Sequence, residues 1–160
     1  MTASTTTTSR AAATFPVAGA ASKGVLQFST GSHTFATGDD EDGDIFQLCR
    51  VPAGATVLGG YLQGKDLDTG TEAFDADLGW AANGVEAADP DGFGNFGLWS
   101  GDAVTDVRPE VGIYYNLGGV LYTTGPQTFT NETIIQLEVN TAAGTLGGGK
   151  ITVVVFWAFL

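Results

Sequence analysis

The sequence predicts an all-β fold, an antiparallel β-sandwich or a small barrel, on three observations. Apolar and polar side chains alternate with a period of two in several short segments. No window has a convincing 3.6-residue repeat. Turn clusters rich in glycine and aspartate separate the alternating segments, and the chain has 24 glycines against only 6 Lys and Arg residues. Short strands joined by such turns are typical of sandwiches and barrels.

The clearest alternation is in AFDADLGWA, where Phe74, Leu78 and Trp80 share one face and Asp75 and Asp77 share the other. Because successive side chains of a strand point to opposite faces, we expect the first three in the core and the two aspartates outside. The predicted strands are, in chain order, GVLQFS (24–29), IFQLCRV (45–51), ATVLGGYLQG (55–64), AFDADLGWA (73–81), TIIQLEVN (133–140) and KITVVVFWAFL (150–160).

The second and third predicted strands are joined by VPAG. Pro52 in the second position and Gly54 in the fourth favour a type I turn there. Within IFQLCRV, a strict period of two places Phe46 and Leu48 on one face together with Arg50. The turn clusters TGDDEDG, DTGT, ADPDGFG and TAAGTLGGG are assigned to the connections between strands.

The chain divides into an N-terminal arm, residues 1–22, and a single β-sandwich domain, residues 23–160. The arm, MTASTTTTSRAAATFPVAGAAS, has few large apolar side chains, so little buried area offsets the entropy of ordering it. It is predicted to be flexible, or to order on a partner surface with Phe15 and Pro16 as anchors. The rest is long enough for one core, since a chain of this size buries roughly 70% of its extended surface.

The charge of the chain excludes several classes of partner. With 18 acidic and 6 basic residues, the formal net charge is -12. This argues against nucleic acid, which requires a basic face, and against anionic membranes.

The single cysteine, Cys49, excludes an internal disulfide framework. There is no signal-peptide pattern and no apolar span of about 20 residues, so we expect a soluble protein made in a cytoplasm.

The last predicted strand is apolar on both of its faces. Val153 and Val155 share one side, and Val154 and Phe156 share the other. Because one face of the strand enters the core, the second face needs another cover. A loop of the same chain is one solution. The favoured one is a subunit interface built from Val154, Phe156 and Trp157, because exposed apolar patches mark association surfaces.

The acidic run GDDEDGDIFQLC departs from the calcium-loop pattern at two required positions. When Gly43 is aligned with the loop's glycine, Gly38 stands where the first aspartate is needed and Cys49 stands at position twelve. A looser cation site at Asp40, Asp42 and Asp44 stays open. The favoured interpretation is a solvated turn in which Asp44 precedes the strand. Turn chemistry likewise accounts for ADPDGFG.

Other catalytic patterns are weak. GTLGGGKI, residues 144–151, approaches the phosphate-binding loop, but Ile151 replaces the required hydroxyl and the segment leads into a strand, so a hairpin turn is predicted. His33, the only histidine, lies in a polar stretch without a nucleophile signature and is assigned to the surface. Asp75 and Asp77 lie on one outward strand face, which does not predict a glycosidase pair. No catalytic residue, metal or cofactor is expected.

The stretch DIFQLCRVPAGATVLGGYLQGKDLDTGT, followed by FDADLGWAANG, resembles small virion proteins of tailed bacteriophages. The matching elements are a [VL]-P-A-G-A turn at 51–55, a V-[LI]-x-G-x-L strand at 57–62, a D-x-D-T-G turn at 66–70 and an L-D-x-G-like strand at 75–79. They cover roughly residues 44–84, about a quarter of the chain. The pattern is a fold signature and not a catalytic one.

The resemblance implies a jelly-roll-like β-sandwich and a head decoration, or cement, protein that binds the outer capsid surface and stabilises the expanded shell. It implies the major capsid protein as partner, a homotrimer as the assembly state, and N-terminal segments that grip the capsid. On this basis the candidate capsid contacts are Thr8, Arg10, Phe15 and Pro16. The acidic surface and the absence of a catalytic pattern are compatible with such a role.

An alternative of a different class is a carbohydrate- or receptor-binding β-sandwich of a phage spike or fibre. Trp80, Trp99 and Trp157 are the side chains available as stacking platforms for sugars. Trp99, in NFGLWSG, is the best candidate among them. A calcium-dependent hydrolase is the least favoured class.

Overall fold

The computed structural model describes residues 3–12, 24–65, 67–69, 71, 73–98 and 113–160. Within these ranges the chain forms ten strands and one short helix. They are β1 (Thr5–Thr7), β2 (Gln27–Phe35), β3 (Ile45–Val51), β4 (Thr56–Gly64), β5 (Asp75–Trp80), β6 (Asp89–Leu98), β7 (Ile113–Asn116), α1 (Val120–Thr123), β8 (Gln127–Thr128), β9 (Thr133–Thr141) and β10 (Gly149–Ala158).

The strands form two sheets that pack face to face. Sheet A has the order β1-β3-β9-β5-β6, and sheet B has the order β2-β10-β4-β7, with the two-residue β8 beside one end of β4. Paired strands are antiparallel except β1, which runs parallel to β3. The chain changes sheet at β1–β2, β2–β3, β3–β4, β4–β5, β6–β7, β8–β9 and β9–β10, a jelly-roll-like winding. The all-β sandwich predicted from the sequence is confirmed.

The core lies between the two sheets, and β10 supplies its centre. Ile151, Val153 and Val155 are fully buried. Each large apolar side chain buried in this way contributes about 1.5–3 kcal/mol by leaving water. Two groups of aromatic rings in contact complete the core, one of Trp80, Phe93 and Phe129 and the other of Phe35, Phe46 and Phe74.

Strand β6 differs from the sequence prediction, which assigned ADPDGFG to a turn. The segment belongs to a ten-residue strand antiparallel to β5. Pro90 is tolerated because β6 is the terminal strand of the described sheet A, where a missing N–H interrupts no second ladder. Gly92 is needed because a Cβ there would lie 2.2 Å from Trp80 Cζ3. Both apparent turn residues therefore belong to an edge strand packed on a tryptophan.

Strand β2 also departs from the prediction, which ended it at residue 29. It continues to Phe35 through the polar stretch TGSHTF. Gly31 and His33 pair with the core residues Val153 and Ile151 of β10, so small and polar residues occupy inward positions. Gly31 has no room for a side chain, since a Cβ there would lie 1.9 Å from the Leu48 carbonyl oxygen. The close approach of β2 to β3 removed the apolar alternation on which the prediction relied.

Strand β3 has the predicted bounds but not the predicted faces. Its pairing with β9 shifts register between Gln47 and Cys49, and Leu48 and Cys49 are both buried. The placement of Arg50 on the face of Leu48 is therefore wrong, because the bulge turns Arg50 outward. There its Nη2 lies 2.6 Å from Oε1 of Glu132 in an ion pair.

Part of the predicted arm lies against the domain's own sheet. The backbone N–H of Ile45 donates to the Ser4 carbonyl at 2.8 Å, and that of Thr8 donates to the Gln47 carbonyl at 2.9 Å. The Thr8 hydroxyl donates to the Leu48 carbonyl at 2.6 Å, and Ala11 is buried. Backbone pairing fixes this threonine-rich segment, although it has few apolar side chains. Residues 3–12 thereby cover one edge of β3.

The four-residue α1 is the only helix in the described ranges, and no helix there is long and apolar enough to cross a bilayer.

Candidate functional surfaces

The outward side of sheet B carries a continuous group of aromatic and aliphatic side chains, which we call the aromatic face: Phe28, Tyr61, Tyr114, Val154 and Phe156. Strand pairing produces this group, because Phe156 is opposite Phe28 on β2 and Val154 is opposite Tyr61 on β4. The Tyr61 ring stacks on Tyr114 at 5.2 Å and meets Phe156 edge-on at 6.1 Å. Side chains from four neighbouring strands thus form one surface.

The aromatic face is exposed in the isolated chain. Phe28 is 65% exposed and Tyr114 is 43% exposed. Leu58, which lies beside them in the bulge of β4, is 41% exposed. Val154 and Phe156 are half-buried, each flanked along β10 by core residues that point the other way. Exposed apolar patches larger than a few hundred Å² are typical of interaction surfaces, so this face is the candidate one.

Trp157 does not belong to this surface, which corrects its assignment to the subunit interface. The side chain points into the core and is 2% exposed. Its Nε1–H donates to the Ser29 hydroxyl at 2.9 Å, and its ring meets Phe159 at 5.5 Å. Trp157 is odd-numbered in a strand whose odd positions face inward, and Val154 and Phe156 are even-numbered. The two-residue period of the strand therefore places Trp157 on the core side and Val154 and Phe156 on the outward side.

The outward side of sheet A is different in kind. Strands β5, β6 and β9 and the turn before β3 carry a group of carboxylates, which we call the acidic face: Asp42, Asp75, Asp77, Asp89, Asp91 and Glu138. Asp77 on β5 lies directly opposite Glu138 on β9. Buried Oδ1 atoms of Asp75 and Asp77 accept no hydrogen bond from the described residues. Like charges in opposed positions of a sheet repel each other.

Burial, and after it the charges of neighbouring acids, raises the pKa of three carboxyl groups on this face. Burial, with the charges of Asp91 and Asp75 adding to it, raises the pKa of Asp77, although a hydrogen bond from Asn140 opposes the change. Burial and the charges of Asp77 and Asp42 raise the pKa of Glu138. The pKa of Asp89 is also raised, by burial and then by its neighbour Asp91. Asp75 and Asp77 point away from the core, as predicted, but Asp75 is half-buried and Asp77 is only 9% exposed, so their face of β5 is largely covered.

The acidic run before β3 is a set of hydrogen-bond acceptors. Asp44 is buried, and it accepts from the Ser4 backbone at 2.6 Å and from the Glu41 backbone at 3.0 Å. Asp40 accepts from the Ala143 backbone at 3.2 Å. Asp44 is a turn residue, as predicted, but the prediction of a solvated turn is wrong at this position because the side chain is 1% exposed. Among the described residues no three His, Cys, Asp or Glu side chains are grouped to hold a metal ion, at Asp40, Asp42 and Asp44 or elsewhere.

The glycine-rich loop between β9 and β10 binds an anion that belongs to the same chain. Asp68 is fully buried and accepts four backbone N–H bonds, from Ala73 at 2.8 Å, Phe74 at 3.2 Å, Gly144 at 2.8 Å and Thr145 at 3.0 Å. The backbone N–H groups of Gly144 and Thr145, at the start of GTLGGGKI, therefore already bond to a carboxylate of the same chain. Asp68 ties the β4–β5 connection to the β9–β10 connection.

Cys49 and His33 both lie in structural positions. Burial raises the pKa of the Cys49 thiol to about 12, although the charge of Arg10 lowers it slightly. At neutral pH this thiol is protonated and unreactive. His33, predicted at the surface, is instead mostly covered, with 14% of its side chain exposed. Its ring stacks on Phe46 at 4.3 Å, and its Nε2 is 3.0 Å from Asp39 Oδ2.

The other sequence candidates fall into two groups. Thr8 and Arg10 lie in the part of the arm that contacts β3, whereas Phe15, Pro16 and Trp99 are outside the described residues. Trp80 and Trp157 are 5% and 2% exposed, so their rings belong to the core and offer no sugar platform. The carbohydrate alternative thereby loses two of its three tryptophans.

Comparison with known proteins gives matches at the level of structure. No protein-family model matches the chain, and no curated protein does either. A chain in the cyanophage Pam1 capsid asymmetric unit matches with a TM-score of 0.59 at 24% identity, covering 94% of this chain and 96% of that one. A chain in the capsid of Ralstonia phage GP4 matches with a TM-score of 0.70 at 15% identity, covering 96% and 97%.

A third match is a chain in the acidic stable capsid structure of the Helicobacter pylori bacteriophage KHP30. It has a TM-score of 0.56 and 15% identity, and the match covers 84% of this chain and 88% of that one. At these identities the likeness establishes a shared fold. Because the coverage is high on both sides, the matched chains are close to this one in length.

Proposed function

We propose that this chain is a structural protein of a bacteriophage virion, a head decoration or cement protein that binds the major capsid protein on the outer surface of the capsid. The observation that carries the proposal is the fold match. Three phage capsids contain a chain that corresponds to this one over 84–96% of its length. The resemblance of residues 44–84 to small virion proteins leads independently to the same role.

The surfaces of the molecule fit a protein that acts by binding. One sheet offers an apolar face and the other a strongly acidic face, and the chain as a whole has a net charge of -12. High net charge keeps a protein soluble at the high local density of a particle surface. In this role the aromatic face is turned towards protein contacts and the acidic face towards water.

Stabilisation of the capsid follows from linkage. A protein that binds the expanded shell but not its dissociated subunits shifts the equilibrium towards the shell by mass action. A homotrimer contacts several capsid subunits at once, so individually weak contacts add to a high avidity. We place Val154 and Phe156 in the trimer interface, since they point outward on sheet B.

The N-terminal arm supplies the contact with the capsid in this proposal. Its first part, residues 3–12, is held on β3 by backbone hydrogen bonds, so the segment that follows starts from a fixed position. Phe15 and Pro16 are then the anchors on the capsid, while Thr8 and Arg10 orient the arm from its base.

The test is reconstitution on capsids of the phage that encodes the chain, prepared without this protein. Purified protein is added, and its occupancy and the thermal disruption of the shell are measured. We expect saturable occupancy and a higher disruption temperature. A variant lacking residues 13–22 should bind much less, and a variant with glycine-serine residues in their place controls for spacing. A saturating amount of folded protein that leaves the shell bare would contradict the proposal.

A further inference from the structure

The aromatic face extends towards one end of the sandwich. The Gly24 backbone N–H donates to the Phe159 carbonyl at 2.9 Å, which joins the segment before β2 to the end of β10. Val25, Leu26 and Leu160 at this end are 57%, 62% and 78% exposed. Phe28 and Phe156 follow directly along the two strands. The exposed apolar surface therefore continues from sheet B onto its end.

The described part of this face contains no carboxylate. Its remaining outward residues on the four strands are Thr30, Ser32, Thr34, Gln63, Asn116, Thr152 and Lys150. In a chain with 18 acidic residues, this is an unusual composition. Like charges brought together across an interface cost several kcal/mol, so copies of an acidic chain associate best through a face without acids. The acidic face on sheet A is excluded as their contact by the same reasoning.

The size of the face suits a protein contact. β10 has ten residues, and ten residues at about 3.4 Å each give roughly 34 Å of length. Four strands about 4.8 Å apart give a width of roughly 19 Å. Because β7 has only four residues, the area is roughly 500 Å² before side-chain relief is counted, below the 800 Å² or so that a standard interface buries on each partner. The exposed side chains of Val25, Leu26 and Leu160 at the adjoining end add to it. Tyrosine and phenylalanine are also the residues enriched at such contacts.

We infer that the aromatic face is where copies of this chain associate, with Phe28 and Phe156 at the centre of the contact and Tyr61 and Tyr114 beside them. This deepens the proposed function, of which subunit association is one part. Phe28, Tyr61, Tyr114 and Leu58 are added to the interface that the sequence assigned to Val154 and Phe156.

The experiment measures the molar mass of the isolated full-length protein by light scattering at micromolar concentrations, without capsids. The wild-type chain is expected to be oligomeric. Phe28→Glu and Phe156→Glu should each reduce the mass to that of one chain. Val85→Glu and Tyr122→Glu are matched controls, because these residues are 60% and 76% exposed and lie outside the aromatic face. The controls should retain the wild-type mass.

Thermal unfolding followed by circular dichroism separates loss of association from loss of folding. Phe28 is the decisive position, because it is exposed on β2 and its replacement leaves the core intact; Phe28→Ser serves as a second, uncharged variant. A monomeric wild type, or Phe28 variants that keep the oligomer, would overturn the inference. A monomer that still binds capsids leaves the proposed function in place, whereas an oligomer that ignores capsids overturns that function alone.

Discussion

The outward sides of the two sheets share one core and yet have opposite surfaces. On sheet B, Phe28, Tyr61 and Phe156 form an apolar surface without a described carboxylate. On sheet A, Asp77 and Glu138 face each other in opposed positions of neighbouring strands, and their pKa values are raised. Inward side chains are alike in both sheets because both enclose the same core. The outward positions are free of that constraint and carry the functional difference.

The carboxylates of the chain divide in the same way. Asp44 and Asp68 are buried, and each accepts several hydrogen bonds from the backbone. On the acidic face, burial and then neighbouring acids raise the pKa values of Asp77, Asp89 and Glu138. Acids of the first kind stabilise the fold, and acids of the second kind destabilise it when ionised. The difference between the two kinds is measurable.

Asp68→Asn should have the largest effect on stability. Asparagine has the shape of aspartate, but its side-chain NH2 group would face backbone N–H donors. These donors now bond to the Asp68 carboxylate. We expect the free energy of unfolding to fall by about 2–4 kcal/mol. Urea unfolding measures it. Asp40→Asn, which removes one longer bond to Ala143, is the control and should change stability far less. Equal effects at the two positions would contradict the distinction.

The charge of the substituted residue on the aromatic face should matter for association. Phe28→Glu adds a negative charge to copies that already have a net charge of -12, whereas Phe28→Lys reduces that charge. At low ionic strength we expect the Glu variant to dissociate at least about tenfold more readily than the Lys variant, because electrostatic repulsion is weakly screened there. Sedimentation velocity gives both dissociation constants. If the two variants lost association to the same extent at every salt concentration, the shape of the side chain at position 28, and not its charge, would determine association.

Stability should rise as the pH falls from neutrality towards the raised pKa values of Asp77, Asp89 and Glu138. The sign follows from linkage: the folded state binds these protons more readily than the unfolded state, so acidification favours folding in this window. Asp77→Asn should add about 0.2–1 kcal/mol at neutral pH by removing one of two opposed charges. It should also flatten the pH dependence measured by thermal unfolding. A destabilised Asp77→Asn variant at neutral pH would contradict this account.

Glu86 should have the opposite pH dependence and the smallest effect. A backbone hydrogen bond from Thr130 and further contacts with Asn83 lower its pKa to about 2. A carboxyl group whose pKa is lower in the folded state than in the unfolded state stabilises the folded protein at any pH above the unfolded-state pKa. This stabilisation is lost as the pH falls towards the folded-state pKa. Because the group is exposed, Glu86→Gln should cost less than about 1 kcal/mol at neutral pH. The cost should disappear near pH 2, where urea unfolding can measure it; a constant cost would exclude a charge effect.

Much of the fold was predictable because alternation is a local signal. IFQLCRV has the bounds of β3, and the segments for β4, β5, β9 and β10 lie within one or two residues of the observed strands. The prediction failed where tertiary contacts replaced alternation. Gly92 lies in a strand because the Trp80 ring packs on it. Gly31 lies in a strand because the backbone of β3 passes close to it. Neither contact leaves a trace in the neighbouring residues.

The candidate site was predictable only in part for the same reason. Val154 and Phe156 could be identified because a single strand was apolar on both faces. Tyr61, Tyr114 and Phe28 could not, since only the pairing of β10 with β4 and β2, and of β4 with β7, brings them together. Trp157 shares the inward side of β10 with Val153 and Val155, so its assignment to the interface conflicts with the period of two. Asp68 lies in a segment predicted as a turn. Two of its four donors, Ala73 and Phe74, are close in sequence, but Gly144 and Thr145 are more than 70 residues away, and no local pattern indicates that contact.

The most direct test of the virion role is a cryo-electron microscopy reconstruction of the phage that encodes this chain. The account predicts density for the chain on the outer capsid surface, with aromatic faces meeting between neighbouring copies and the acidic face turned to solvent. A virion that lacks the chain would contradict the account. So would a map in which the acidic face forms the contacts and the aromatic face is exposed to water.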